Sequence, residues 1–93
     1  MQNSSNSNKS IPTLPNLGPK SGALLARIGI ICLEDLRAMG CVEAYCLLKA
    51  QGEPVSLNLL WAMYGALNGI KWTQISVETK ADLRAQVDAF RFD

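Results

Sequence analysis

The stretch that most constrains the fold of this chain is LNLLWAMYGALNGI, residues 57–70, which contains no charged residue. Ten of its fourteen residues are apolar. A helix that spans a bilayer needs about 20 apolar residues, so this stretch is too short to cross a membrane. A helix that is apolar on nearly every side must instead be covered by the rest of a folded domain. We therefore expect residues 57–70 to form the buried central helix.

A helical wheel divides this central stretch into a bulky side and a side of small residues. The bulky side consists of Leu59, Leu60, Met63, Tyr64, Leu67 and Ile70. The opposite side consists of Asn58, Ala62, Gly65 and Gly69. Glycine in a helix interior costs about 0.5–1 kcal/mol relative to alanine. Two glycines on one stripe therefore predict the close approach of another helix, and the helix that follows the N-terminal turn is the candidate.

Length and charge place the chain in a broad class. Ninety-three residues predict a single domain. Nine Lys and Arg side chains against eight Asp and Glu leave a net charge of +1, which neither requires nor excludes a nucleic-acid partner. The N-terminus lacks the basic and apolar regions of a signal peptide. We expect a cytoplasmic protein without a membrane contact.

The positions of Pro, Gly and Ser divide the chain into segments. Residues 1–10 are rich in Ser and Asn and predict a disordered leader, whereas residues 11–93 predict the folded domain. No segment alternates apolar and polar residues with a period of two, so we predict an all-α, single compact domain of about five helices. The predicted helices cover residues 19–28, 33–39, 41–51 and 57–70, and a last one that begins after Ser76.

Capping residues mark the ends of these helices. Gly29, Gly40 and Gly52 follow three of the predicted helices, as expected for residues that end a helix in a left-handed conformation. Ser56 precedes the central helix and Ser76 precedes the last one, and serine is a favoured N-terminal cap. The inner side of the last helix is predicted to carry Leu83, Val87 and Phe90.

Catalytic and metal-binding residues are scarce. The chain has no His, so it lacks the commonest general base and any Ser-His or Cys-His pair. Cys32, Cys41 and Cys46 do not have the spacing of a zinc site, and we predict reduced thiols, no metal and no cofactor. No glycine-rich phosphate loop is present. We therefore predict that the protein is not an enzyme.

The turn LPNLGPKS, residues 14–21, is similar to the hairpin of a helix-hairpin-helix motif, whose usual form is apolar-Pro-Gly-apolar-Gly-x-Lys. A tight turn before a helix start directs backbone N–H groups outward, where they can hold a phosphate. The candidate phosphate-binding residues are Asn16, Gly18, Lys20 and Ser21, with Arg27 extending the same helix face. The alternative interpretation, a purely structural turn, remains open at this point. Either way, the motif predicts a helix-hairpin-helix-like N-terminal half.

Four sequence pieces taken together resemble the C-terminal domain of the TfoX/Sxy family. They are NLGPKS (16–21), LEDLR (33–37), VEAY (42–45) and GIKW (69–72), and the resemblance covers roughly residues 14–84. The resemblance implies a regulator of natural competence that acts with the cyclic-AMP receptor protein at promoters of competence genes. Members typically carry an N-terminal domain before this one. Because only ten leader residues precede the match, we expect that domain to be absent here.

Two functional hypotheses follow from these observations. The first is a regulatory interaction module that contacts DNA, or a DNA-bound transcription factor such as the cyclic-AMP receptor protein, through residues 16–21. The second is a module for protein–protein interaction or self-association, as a homo-oligomer, without nucleic-acid contact. The near-neutral charge favours the second hypothesis, and the turn favours the first.

Overall fold

The computed structural model describes residues 17–92, which form five α-helices and no β-strand. The helices are α1 (Pro19–Ala26), α2 (Leu33–Met39), α3 (Cys41–Ala50), α4 (Leu57–Asn68) and α5 (Val77–Ala89). A 3₁₀ turn, Trp72–Gln74, lies between α4 and α5. The prediction of an all-α domain with about five helices is therefore confirmed. The predicted leader, residues 1–10, and the candidate residue Asn16 lie outside the described residues.

The ends of α1 and α4 follow from the glycines beyond them. Gly29 has a φ of 84° and Gly69 a φ of 68°, in the left-handed region that favours glycine. The N–H group of Ile30 donates to the carbonyl of Leu25 at 3.0 Å, which satisfies a carbonyl at the end of α1. The equivalent bond after α4 runs from Ile70 to Gly65, also at 3.0 Å. The predicted stop of α1 at Gly29 is thus confirmed, although the helix ends two residues earlier than predicted. The α4 helix, predicted to continue through Gly69 to Ile70, ends at Asn68.

The central position of α4 is also confirmed. Residues 59–63 are all buried, so this helix is enclosed on nearly all sides. It packs against α2, α3 and the 3₁₀ turn. Its neighbours in the core include Leu36, Tyr45 and Leu48. The inward position predicted for Ile70 is wrong, because the helix ends at Asn68 and Gly69 then turns the chain, leaving Ile70 36% exposed.

The last helix, α5, lies against α3. Leu83 is its one buried residue, and Val87 and the following Phe90 are half-buried. The predicted inner side of this helix therefore faces the core, most fully at Leu83. No helix in residues 17–92 has the length and apolar character needed to span a bilayer.

Candidate nucleic-acid interface

The first turn of α1 is open to the outside of the molecule. Gly18 precedes the helix with an extended backbone, and Pro19 occupies the first helical position. The N–H group of Gly22 donates to the carbonyl of Gly18 at 2.9 Å, so the N–H groups of Lys20 and Ser21 precede the first intrahelical bond. No described side chain caps this end, and a Cβ added at Gly18 would meet no described atom within 4 Å.

The first turns of the five described helices differ in their charge. The helices α2, α3 and α5 each carry acidic residues there, which are Glu34 and Asp35, Glu43, and Glu78 respectively. These carboxylates offset the partial positive charge at a helix N-terminus. The carboxylate of Asp35 also accepts the N–H of Ile31, just before the N-cap residue Cys32, at 3.1 Å, and this bond lowers the pKa of Asp35. The helices α1 and α4 have no acidic residue in the first turn.

The first turns of α1 and α4, which have no acidic residue, border the same cavity, which we call the entry groove. It has a volume of about 300 Å³ and lies between α1 and α4. Its lining contains one cation, Lys20, and no carboxylate among the described residues. Two residues of the small side of α4, Asn58 and Ala62, line this groove, and Gly65 on the same side is buried. The described residues that line it are Lys20, Ser21, Leu24, Pro54, Val55, Ser56, Asn58, Leu59, Ala62 and Trp72.

One wall of the entry groove carries an aromatic ring that the sequence analysis did not assign to the site. Trp72 is 39% exposed, whereas Trp61 in the core is only 7% exposed. The Lys80 Nζ atom lies 6.0 Å from the centre of the Trp72 ring and 5.6 Å from that of Trp61, within the range of a cation–π interaction. The groove lining therefore includes a lysine on α1 and a tryptophan on the 3₁₀ turn, and Lys80, which is outside that lining, lies against the same tryptophan.

Arg27, the remaining candidate, lies away from the entry groove. It follows the last residue of α1, about 10 Å along the helix from Lys20. Its Nη1 atom lies 3.0 and 3.1 Å from the two carboxylate oxygens of Glu53, whose side chain is largely buried. The structure thus brings Lys20 and Ser21 together in the groove, with Gly18 at the adjacent helix start, and places Arg27 in an ion pair elsewhere.

The cysteines do not form a reactive or metal-binding cluster in the described part of the chain. Residues 17–92 contain no group of three or more His, Cys, Asp or Glu side chains suited to a metal ion. Cys41 and Cys46 are buried, and burial raises the pKa of both thiols. Thiols with a raised pKa stay protonated at neutral pH and are poor nucleophiles.

Comparisons with known proteins found one family and two solved structures of similar fold. The family described as the TfoX C-terminal domain matches residues 7–87. A crystal structure of an uncharacterized Listeria monocytogenes protein, in a triclinic form, is similar with a TM-score of 0.75 and 24% identity, covering 90% of this chain and 99% of that one. A tetragonal form of a Listeria monocytogenes protein of unknown function has a TM-score of 0.73 and 28% identity, covering 80% and 91% respectively. Among curated proteins, none matches this chain.

Proposed function

This chain belongs to the TfoX C-terminal domain family, and on that premise we propose that it is a non-enzymatic interaction module that contacts the phosphates of DNA. The family is of a regulatory type and is not a known enzyme family. In this proposal the module works in the cytoplasm, in the regulation of competence genes, beside a DNA-bound transcription factor such as the cyclic-AMP receptor protein. Lys20, Ser21 and the N–H groups at the start of α1 contact the phosphates.

One observation carries the proposal, namely that both acid-free helix starts of the described chain open on one groove that contains Lys20. The unpaired N–H groups and the dipole of a helix start favour an anion. A nearby ammonium group adds a full positive charge, and the groove lining has no carboxylate to oppose it. A DNA phosphate satisfies both features. In contrast, Arg27 is already neutralised by Glu53, and we assign it a structural role.

Binding to a labelled duplex, followed by fluorescence anisotropy at about 50 mM and 200 mM salt, tests the proposal. Lys20→Gln removes one phosphate contact, so we expect about tenfold weaker binding at low salt and a salt slope that is smaller by about one. Lys49→Gln is the matched control, because Lys49 lies beside Tyr45 and Asp88 rather than at the entry groove. Arg27→Gln serves as a second control and should also bind as the wild type does.

Equal affinities for the Lys20→Gln and Lys49→Gln variants would overturn this contact surface. An absence of duplex binding at low salt would overturn the DNA contact altogether. That second outcome would favour the alternative of a protein-binding or self-associating module.

A further inference from the structure

The entry groove has a feature that contact with duplex phosphates does not use. Trp72 lines it and is 39% exposed, although tryptophan has a large apolar surface that is usually well covered. A base in a closed duplex is stacked between its neighbours and offers its edge in a groove, so an indole ring reaches its face only after costly unstacking. An unpaired base offers its face directly, and stacking on aromatic side chains is the usual way proteins hold single strands.

The positive charges near Trp72 also suit the phosphates of a single strand. Lys20 lines the same groove, and the ammonium group of Lys80 already lies at the Trp72 ring. Proteins that bind single strands combine such aromatic rings with cations that follow the backbone. In such an arrangement the base would rest on the indole, and the two ammonium groups would neutralise the flanking phosphates. The groove volume of about 300 Å³ is at the lower end of the range for small-ligand pockets, which fits one nucleotide rather than a duplex.

We propose that the entry groove binds single-stranded DNA, with one unpaired base stacked on Trp72 and its phosphates held by Lys20 and Lys80. This inference rests on the proposed phosphate contact at Lys20 and adds the form of DNA that the site prefers. The domain then binds a single strand more tightly than a duplex of the same sequence, because only the single strand supplies both the base face and the phosphates.

The experiment compares two labelled probes, a single-stranded oligodeoxythymidine and a duplex of the same length, at about 50 mM salt. We expect Trp72→Leu to weaken binding of the single strand about fivefold to a hundredfold, which is the usual range for loss of one stacked base. Duplex binding should change less than twofold. Trp72→Phe keeps an aromatic ring and should restore part of the single-strand affinity, and circular dichroism confirms that each variant is folded.

Tryptophan fluorescence supplies a second measurement. In a Trp61→Phe variant the only indole is that of Trp72, and stacking of a base should quench its emission as oligodeoxythymidine is added. Lys80→Gln should weaken single-strand binding, whereas Lys49→Gln should not, because Lys49 does not line the entry groove.

Two outcomes would overturn the inference while leaving the proposed function intact: equal affinity for both probes, or a Trp72→Leu variant that binds the single strand as well as the wild type does. In either case, weaker duplex binding by the Lys20→Gln variant would still support the phosphate contact. Only the stacking of a base on Trp72 would then be overturned. If the wild-type protein bound neither probe, the proposed function itself would be overturned.

Discussion

The helices α4 and α5 have nearly the same length but are stabilised in different ways. The α4 helix has no charged residue, and six of its twelve residues are buried. The α5 helix has one buried residue among its thirteen and carries charges along its exposed sides. The difference extends to their starts. The hydroxyl of Ser76 accepts the N–H of Thr79 at 3.1 Å and caps α5, whereas the side chain of Ser56 makes no such bond to α4.

Of these two helices, α4 is stabilised mainly by burial, whereas α5 has little burial and a side-chain cap. A helix enclosed by its neighbours does not need a side-chain cap, because tertiary packing supplies most of its stability. A surface helix gains proportionally more from each local hydrogen bond. The start of α4, where the Ser56 side chain makes no cap, borders the entry groove, as the start of α1 does. The stability of α4 from its core side therefore allows its N-terminal end to remain available for binding.

The largest expected effect tests whether α4 is the more important of the two helices for stability. Leu60 on α4 is fully buried, and Leu83 on α5 is nearly so. We expect Leu60→Ala to lower the free energy of unfolding by about 3–5 kcal/mol and Leu83→Ala by about 2–3 kcal/mol, since the surface helix can relax more around the lost volume. Urea denaturation of both variants measures the difference. A larger loss at Leu83 would contradict the comparison.

A smaller effect is expected at the end of α4. Gly69 has a φ of 68°, and a Cβ there meets no described atom within 4 Å, so any cost of Gly69→Ala comes from backbone strain. We expect a loss of about 1–2 kcal/mol in urea denaturation. Gly18→Ala is the control, because Gly18 has equal space but an extended backbone with a φ of −117°. Its free energy of unfolding should stay the same or rise slightly. Equal losses at both positions would show that backbone strain is not the cause.

The smallest effect compares the two serines. We expect Ser76→Ala to reduce the stability of the domain by about 1 kcal/mol, because the N–H of Thr79 loses its acceptor. Ser56→Ala should change stability by less than about half of that, since the Ser56 hydroxyl caps nothing. Thermal unfolding of the two variants, side by side, gives the answer. A substantial loss at Ser56 would mean that α4 depends on its start as much as α5 does.

The fold was predictable from the sequence where a single residue limits the backbone. Proline at residue 19 fixes φ at the start of α1, and glycine at residue 29 can adopt the left-handed conformation that ends it, so both ends of α1 were predictable without distant contacts. The error at Ile70 arose because a helical wheel continues its period through Gly69, where the chain in fact turns. Ser56 was correctly placed before α4, but whether its hydroxyl bonds to the backbone depends on side-chain geometry that the sequence does not contain.

The candidate site was predictable only in its local part. The turn motif identified Lys20 and Ser21, which are neighbours in sequence and lie together in the groove. Trp72 and Lys80 are more than fifty residues further along the chain, and only the packing of α4 and the 3₁₀ turn brings Trp72 to the groove. The partner of Arg27 was likewise not predictable, because Glu53 is 26 residues away. The prediction for Asn16 lies outside the described residues.

The contact between α5 and α3 includes a cysteine whose reactivity can be used to follow the movement of α5. Cys46 is buried on α3, and its thiol lies 3.9 Å from the carbonyl of Val87 on α5. Lifting α5 from α3 exposes this sulfur further, so we expect alkylation of Cys46 to become faster when α5 detaches. Cys32 is partly exposed and serves as the reference thiol. A rate at Cys46 that rises relative to the rate at Cys32 would indicate that α5 leaves α3 more often.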